Sequence, residues 1–142
     1  MLHPDRVDIP RYATEAAAGL DLQAALQEPL LIVKGGYIQV PTGIAIQLPA
    51  QHEGQVRPRS GLAARHGITL LNSPGTIDAD YRGEIHVLLI NHGSQDYWVQ
   101  PRDRIAQLVI APVSQVQIDV VSHIDELAAS QRGAGGFGST GR

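Results

Sequence analysis

Apolar residues in this chain arrive in runs of a few positions, never in the long helically periodic stretches that build a helical domain. The runs fall at residues 30–33, 37–40, 43–48, 67–71, 85–90, 97–99, 105–111 and 116–121, and several are rich in Val and Ile. Turn formers separate them: Gly35-Gly36, Pro41-Thr42-Gly43, Asn91-His92-Gly93 and Pro101-Arg102-Asp103. Short strands at even spacing with turns between them predict an all-β subunit, a sandwich or barrel. Within 43–48, Ala45 and Gln47 alternate with Ile44, Ile46 and Leu48, the period of a half-buried strand. Two places have helical character. Ser60–His66 begins with a serine placed to cap a turn of Leu, Ala and Arg, and 124–130 reads IDELAAS. Neither is long enough to build a helical domain.

At 142 residues and 43% hydrophobic content the chain predicts one domain with a real core. A net charge of −3 argues against a sequence-independent nucleic-acid binder, which would carry a basic excess. There is no cysteine, so disulfides and thiolate metal sites are excluded. No uninterrupted apolar stretch approaches the roughly 20 residues that span a bilayer, and MLHPDRVDIPRY lacks the apolar centre of a signal peptide. The expectation is a soluble cytoplasmic protein that binds neither nucleic acid nor membrane. The cations are ten Arg against one Lys (Lys34). A planar fork of donors suits phosphate and carboxylate oxygens, although a genome-wide codon bias would give the same count. Position says more than count: Arg59, Arg82, Arg104 and Arg132 all fall in distinctive segments.

The most distinctive segment is 72–84, NSPGTIDADYRGE. Turn formers stand against two carboxylates, one ring and one guanidinium. A turn or hairpin loop of this make-up can aim Asp78, Asp80, Tyr81 and Arg82 into one pocket for a small polar ligand with an apolar edge. Alone, it is equally an ordinary polar hairpin with solvated charges. Four other segments bear on the choice. Ala18-Gly19-Leu20-Asp21-Leu22 puts one acid in a small-residue turn. Pro58-Arg59-Ser60-Gly61-Leu62-Ala63 puts a cation and a hydroxyl at a possible helix start, a natural anion site. Arg104-Ile105-Ala106-Gln107-Leu108-Val109 carries two polar side chains into an apolar strand. The last segment, 132–142, reads RGAGGFGSTGR. So much glycine cannot pack a core, yet it holds the chain's only Phe, Phe137. Arg, Phe, Ser and Thr spaced by Gly could wrap a ligand, with backbone N–H groups and hydroxyls on phosphate and the ring on a flat base.

In this order the five segments resemble the five sequence motifs of the trimeric deoxyuridine triphosphate nucleotidohydrolases, the dUTPases. A lone AGLDL or RSGLA is weak; all five in order, spread from residue 18 to 141, are specific. The resemblance implies an all-β, distorted jelly-roll or β-barrel-like subunit over residues 1–131. It implies a flexible Gly-rich arm over 132–142 that closes on the active site. It implies a homotrimer with active sites between subunits, and hydrolysis of dUTP to dUMP and pyrophosphate with Mg²⁺. That reaction keeps uracil out of DNA and supplies the precursor of dTMP.

The resemblance also implies residue roles. Asp78 would orient and deprotonate the water that attacks the α-phosphorus, and bond the sugar 3′-OH. Water is a poor nucleophile and must be held in line with a charged triphosphate. The plainer reading is that Asp78 stabilises its turn; Asp80 is the more structural of the two. Gln107 would help hold the α-phosphate and the water. Arg59, Ser60 and Gly61 would bind phosphate, with Ser60 donating where charge develops as pyrophosphate departs. Asn72 offers donor and acceptor to the uracil edge. Gly75, Thr76, Ile77, Asp78 and the main chain at His86 would complete a narrow pocket that excludes the thymine methyl. Tyr81 would pack on the deoxyribose and leave no room for a 2′-OH. Arg132, Ser139 and Thr140 would address the terminal phosphates, with Phe137 over the uracil. Asp21 would act on Mg²⁺ through water, because this ion keeps most of its waters and rides on the triphosphate. The six His are scattered, without zinc-like spacing.

One departure stands out. Where the family usually has Gly before the acid and Arg of the fourth motif, this chain has Arg102. Arg fits such a turn if its φ is negative, so the turn type is in question and the chemistry is not. Two rivals remain. The dCTP deaminases share the fold, but their deaminating glutamate would fall at Leu88, which cannot activate water. A non-catalytic jelly-roll trimer could keep the fold without Asp78 or the arm.

Overall fold

The computed structural model describes residues 1–136. Among them, nine short strands, all paired antiparallel, form three sheets. The largest orders β1 (Leu20–Gln23), β9 (Arg104–Pro112), β4 (His52–Arg57) and β6 (Gly75–Ile77) side by side. A second orders β3 (Tyr37–Pro41), β7 (His86–Asn91) and β5 (Ile68–Leu70). A two-stranded ribbon joins β2 (Leu30–Ile32) to β8 (Tyr97–Val99). One core lies between them. Leu22, Val56, Ile105 and Leu108 come from the first sheet, Val40, Ile68, Val87 and Leu89 from the second, and Ile32 and Val99 from the ribbon. Along β7, Val87 and Leu89 point inward while His86 and Leu88 do not, the alternation expected of a strand with one buried face. Each such side chain contributes about 1.5–3 kcal/mol by leaving water.

Among the described residues two polar side chains are fully buried, and both are satisfied. Asn91 donates through Nδ2 to the carbonyls of Ile32 (3.0 Å) and Gln95 (2.8 Å) and accepts from the Gly93 amide (2.9 Å). Thr42 Oγ1 donates to the Ile85 carbonyl at 2.7 Å. Buried groups paired this way specify one arrangement of the turns around them.

Local expectations hold in part. Helix α1 forms at Ser60–His66, but its N-cap is Arg59 and no side chain caps it, so Ser60 lies inside the first turn with its hydroxyl free of that duty. Gly67, at φ 68, ends the helix in a left-handed C-cap whose amide returns to Ala63. The 124–130 segment shrinks to a single 3₁₀ turn, Ile124–Glu126. Residues 43–48 form no strand; the chain turns at Gly43 (φ 68) and Ile44 gives one backbone bond, accepting from Ile85 N at 2.8 Å. Asp21, expected in a turn, lies on strand β1. Strand β4 is polar in sequence and falls outside the apolar runs. It exists because β9 and β6 flank it on either side. Gly54 permits that close fit: a Cβ there would stand 3.1 Å from Leu108 Cδ1 and 3.2 Å from Ile77 Cβ. Arg102 has φ +65, the left-handed region and not the negative φ expected of a non-glycine.

Candidate active site

Residues 72–85 do not form a hairpin. The chain leaves β5 in one sheet, pairs as β6 with β4 in the other, and returns to the first sheet as β7. The crossing opens a cleft of about 360 Å³ where the two sheets part. Asn72, Gly75, Thr76, Ile77, Asp78, Tyr81 and His86 all line it. Asp78 directly follows β6, so its carboxylate stands at the end of a paired strand, exposed to solvent in a single chain. The Tyr81 amide bonds back to the Asp78 carbonyl at 3.1 Å, which closes a turn and puts the ring near the acid. Two residues that the sequence reading missed, Gln39 and Glu84, also line the cleft. Gln39 comes from β3, distant in sequence and opposite Leu88 across the sheet, so no local motif could announce it. Arg82 is not a cleft residue: its NH1 folds back on the carbonyls of Ala79 and Tyr81, each at 2.8 Å. Asp80 does not line the cleft either.

A second, smaller depression of about 180 Å³ gathers Asp21, Arg59, Ser60, Gly61 and Gln107. Sheet register explains the grouping. Gln107 on β9 sits opposite Asp21 on β1 and opposite Arg57 on β4, so three polar residues form a row across the sheet. Asp21 accepts from Arg59 Nε at 3.0 Å and from Arg104 NH1 at 3.1 Å. Gln107 Nε2 donates to the Pro58 carbonyl at 3.1 Å. Gly19 makes room for that amide, since a Cβ would stand 2.7 Å from Gln107 Oε1. The Arg59 guanidinium, the Ser60 hydroxyl and the Gly61 backbone thus gather beside Asp21, whose charge Arg59 and Arg104 balance, at a corner with donors suited to anionic oxygens.

The cleft and the corner are separate in one chain. Of the arm residues, Arg132 is exposed and turned on its own loop, its Nε donating to the Gly135 carbonyl at 2.6 Å. Phe137, Ser139 and Thr140 lie outside the described residues. Among the described residues no group of three or more His, Asp or Glu side chains could hold a metal ion. The Asp21 carboxylate keeps a lone pair on each oxygen beyond its two arginine bonds. Such a carboxylate would suit a hydrated divalent cation met through water, and the described residues offer no cage of direct protein ligands.

An antiparallel jelly roll with a cleft of mixed polar and apolar lining, and a smaller corner holding Arg59, Ser60 and Gln107, defines the class of this β-fold protein. The sequence model of the dUTPase family matches residues 5–141. A deoxyuridine 5'-triphosphate nucleotidohydrolase from Anaeromyxobacter sp. (strain Fw109-5) is 55% identical over 136 residues, 96% of this chain and 89% of that protein. Among solved structures, the Staphylococcus bacteriophage 80alpha dUTPase with dUPNHPP superposes with a TM-score of 0.88 at 23% identity, covering 100% of this chain and 96% of that one. A point mutant of the dUTPase from phage phi11 of S. aureus, described with a structural Mg(II) ion, gives 0.77 at 20% identity over 88% and 96%. The chain belongs to the dUTPase family.

Proposed function

We propose that the protein hydrolyses dUTP to dUMP and pyrophosphate by attack of water on the α-phosphorus. The observation that carries this reading is the meeting of Asn72, Asp78 and Tyr81 in one cleft, on a chain matched by the family over nearly its whole length. Asp78 holds and deprotonates the water and accepts from the sugar 3′-OH. Asn72 presents an amide to the uracil edge, and the backbone from Gly75 to Asp78 with that of His86 narrows the pocket against a methyl at the base. Tyr81 closes the sugar face and leaves a 2′-OH without space or partner. Arg59, Ser60, Gly61 and Gln107 receive phosphate oxygens, and Ser60, not spent on capping, is free to donate where charge builds on the leaving pyrophosphate. Asp21 would hold a hydrated Mg²⁺ through one of its waters, and that ion, when bound, would neutralise charge on the triphosphate.

The corner and the cleft belong, in this reading, to sites completed between subunits of a homotrimer. The run 116–121 supports it: Val116, Ile118 and Val120 are 78%, 82% and 92% exposed in the single chain. Alternating apolar residues left in water predict a neighbouring surface to cover them. Residues 1–131 form the β domain and 132–142 the closing arm, with Arg132, Ser139 and Thr140 on the terminal phosphates and Phe137 over the base. A nucleotide-pool enzyme of this kind works in the cytoplasm; among the described residues no helix is long and apolar enough to cross a membrane.

Pyrophosphate release from dUTP, dTTP, dCTP and UTP in parallel, with and without Mg²⁺, tests the reading. Turnover of dUTP alone, dependent on Mg²⁺, is expected. Ammonia from dCTP would favour the deaminase reading, against which Leu88 stands as an apolar cleft wall. Binding of dUTP without turnover would leave a non-catalytic trimer.

A further inference from the structure

A second carboxylate, Glu84, lines the cleft beside Asp78. It follows the turn that carries Tyr81, and its side chain is only 19% exposed. Its Oε1 accepts from the Gly43 amide at 2.7 Å, and its Oε2 lies 3.9 Å from His86 Nε2. Its main-chain carbonyl accepts from the Tyr81 hydroxyl at 2.9 Å. One residue therefore grips the 42–43 turn with its side chain and the tyrosine with its backbone. The turn it grips is anchored, because Thr42 is fully buried and meets the Ile85 carbonyl through both its amide (3.3 Å) and its hydroxyl (2.7 Å). Gly83 completes the arrangement. A Cβ there would fall on the tyrosine itself, 2.6 Å from Cζ and 3.0 Å from Cε2, so the hydroxyl end of the ring lies against bare backbone.

We propose that Glu84 is a positioning residue for sugar selection: its side-chain bond to Gly43 holds its own carbonyl at the point where the Tyr81 hydroxyl docks, over Gly83. This fixes the ring as the wall that a ribose 2′-OH meets. An exposed tyrosine free to swing would reject the hydroxyl weakly, since selection against an added group depends on a wall that does not yield. The inference rests on the dUTP reading for its substrate, but the ring's docking is a property of the free protein.

Two measurements separate those layers. The first is NMR of ¹³C-tyrosine-labelled protein without nucleotide. Glu84→Ala is expected to shift the Tyr81 ring resonances and speed ring rotation, while Glu84→Gln, which keeps an oxygen for the Gly43 amide, restores the wild-type signals. Unchanged Tyr81 signals in Glu84→Ala overturn the proposal whatever the enzyme turns over. The second is kcat/KM for dUTP and for UTP. Glu84→Ala and Tyr81→Phe, which breaks the same bond from its other end at an exposed hydroxyl, are each expected to lower the dUTP-to-UTP ratio by about tenfold. The double variant loses little more, and Glu84→Gln recovers the ratio. An equal fall for both nucleotides would make Glu84 a support of the fold only and sink the proposal. Wild-type protein that leaves dUTP intact would remove the functional reading instead, with the NMR result still deciding the ring's docking.

Discussion

Asp78, Arg102 and Tyr97 illustrate what single side chains decide here. Asp78 lines the cleft at the end of a paired strand, so its backbone is held while its oxygens stay open to solvent. Asp78→Asn keeps shape and loses the proton acceptor. Its kcat for dUTP is expected to fall by about 10²–10⁴-fold with the melting midpoint unchanged, checked by pyrophosphate release beside thermal unfolding. Arg102 carries a left-handed φ of +65, which costs a non-glycine residue roughly 1–2 kcal/mol. It compensates by latching the N-terminal segment, with NH1 donating to Asp8 Oδ1 at 3.2 Å and NH2 to the Asp5 carbonyl at 3.0 Å. Exposed pairs return only about 0.2–1 kcal/mol, and glycine adds about 0.4–1 kcal/mol of unfolded-chain entropy. Arg102→Gly should therefore leave the melting midpoint almost unmoved while amide exchange quickens at Val7, which calorimetry and hydrogen exchange would read together. Burial, with Asp103 adding and Arg65 opposing, raises the Tyr97 hydroxyl above its ordinary 10.0. The folded state thus holds that proton more tightly than the unfolded one. Stability falls as pH rises above the ordinary value, and Tyr97→Phe should lose less stability than the parent across that range in denaturant titrations.

At the scale of elements, sequence and structure part in instructive places. The apolar runs at 85–90 and 105–111 form β7 and β9, because short Val- and Ile-rich runs bounded by turn formers are a local property of the chain, whereas the alternating stretch 43–48 forms no strand. The strand β4, reading HEGQVR, carries no such signal: its place comes from two neighbours and from the room left by Gly54. The 72–84 segment is legible as a candidate site but not as a crossing between sheets, because composition marks a turn and cannot say which strand its flanks will pair with. The arm is legible as distinct through its glycines. Deleting residues 132–142 is expected to lower kcat/KM for dUTP by roughly a hundredfold or more without lowering the melting midpoint, since Arg132 bonds within its own turn. Normal turnover by the truncated protein would end the arm's assigned role.

For the whole molecule, the separation of cleft and corner matters most. Each is built within one chain, and the residues proposed to bind and cleave the nucleotide are divided between them. A threefold assembly lets one surface serve each copy alike, and the bare run 116–121 is the natural surface to be covered. Ile118→Asp with Val120→Asp places charges where apolar contact is expected. The pair should sediment as a monomer and lose dUTP turnover while the far-ultraviolet spectrum of the β core persists. A stable, active trimer from that variant would put the subunit contact elsewhere.

Short apolar runs between turn formers already contained the all-β class, and the five polar segments already held Asn72, Asp78 and Tyr81 of the candidate cleft and Arg59 of the candidate corner, because run length and side-chain chemistry are local. Pairing is not local. That Asp21, Gln107 and Arg57 would stand in one row, that the 72–85 chain would cross between sheets, and that Glu84 would reach Gly43 depended on strand register and on which backbones the core draws together.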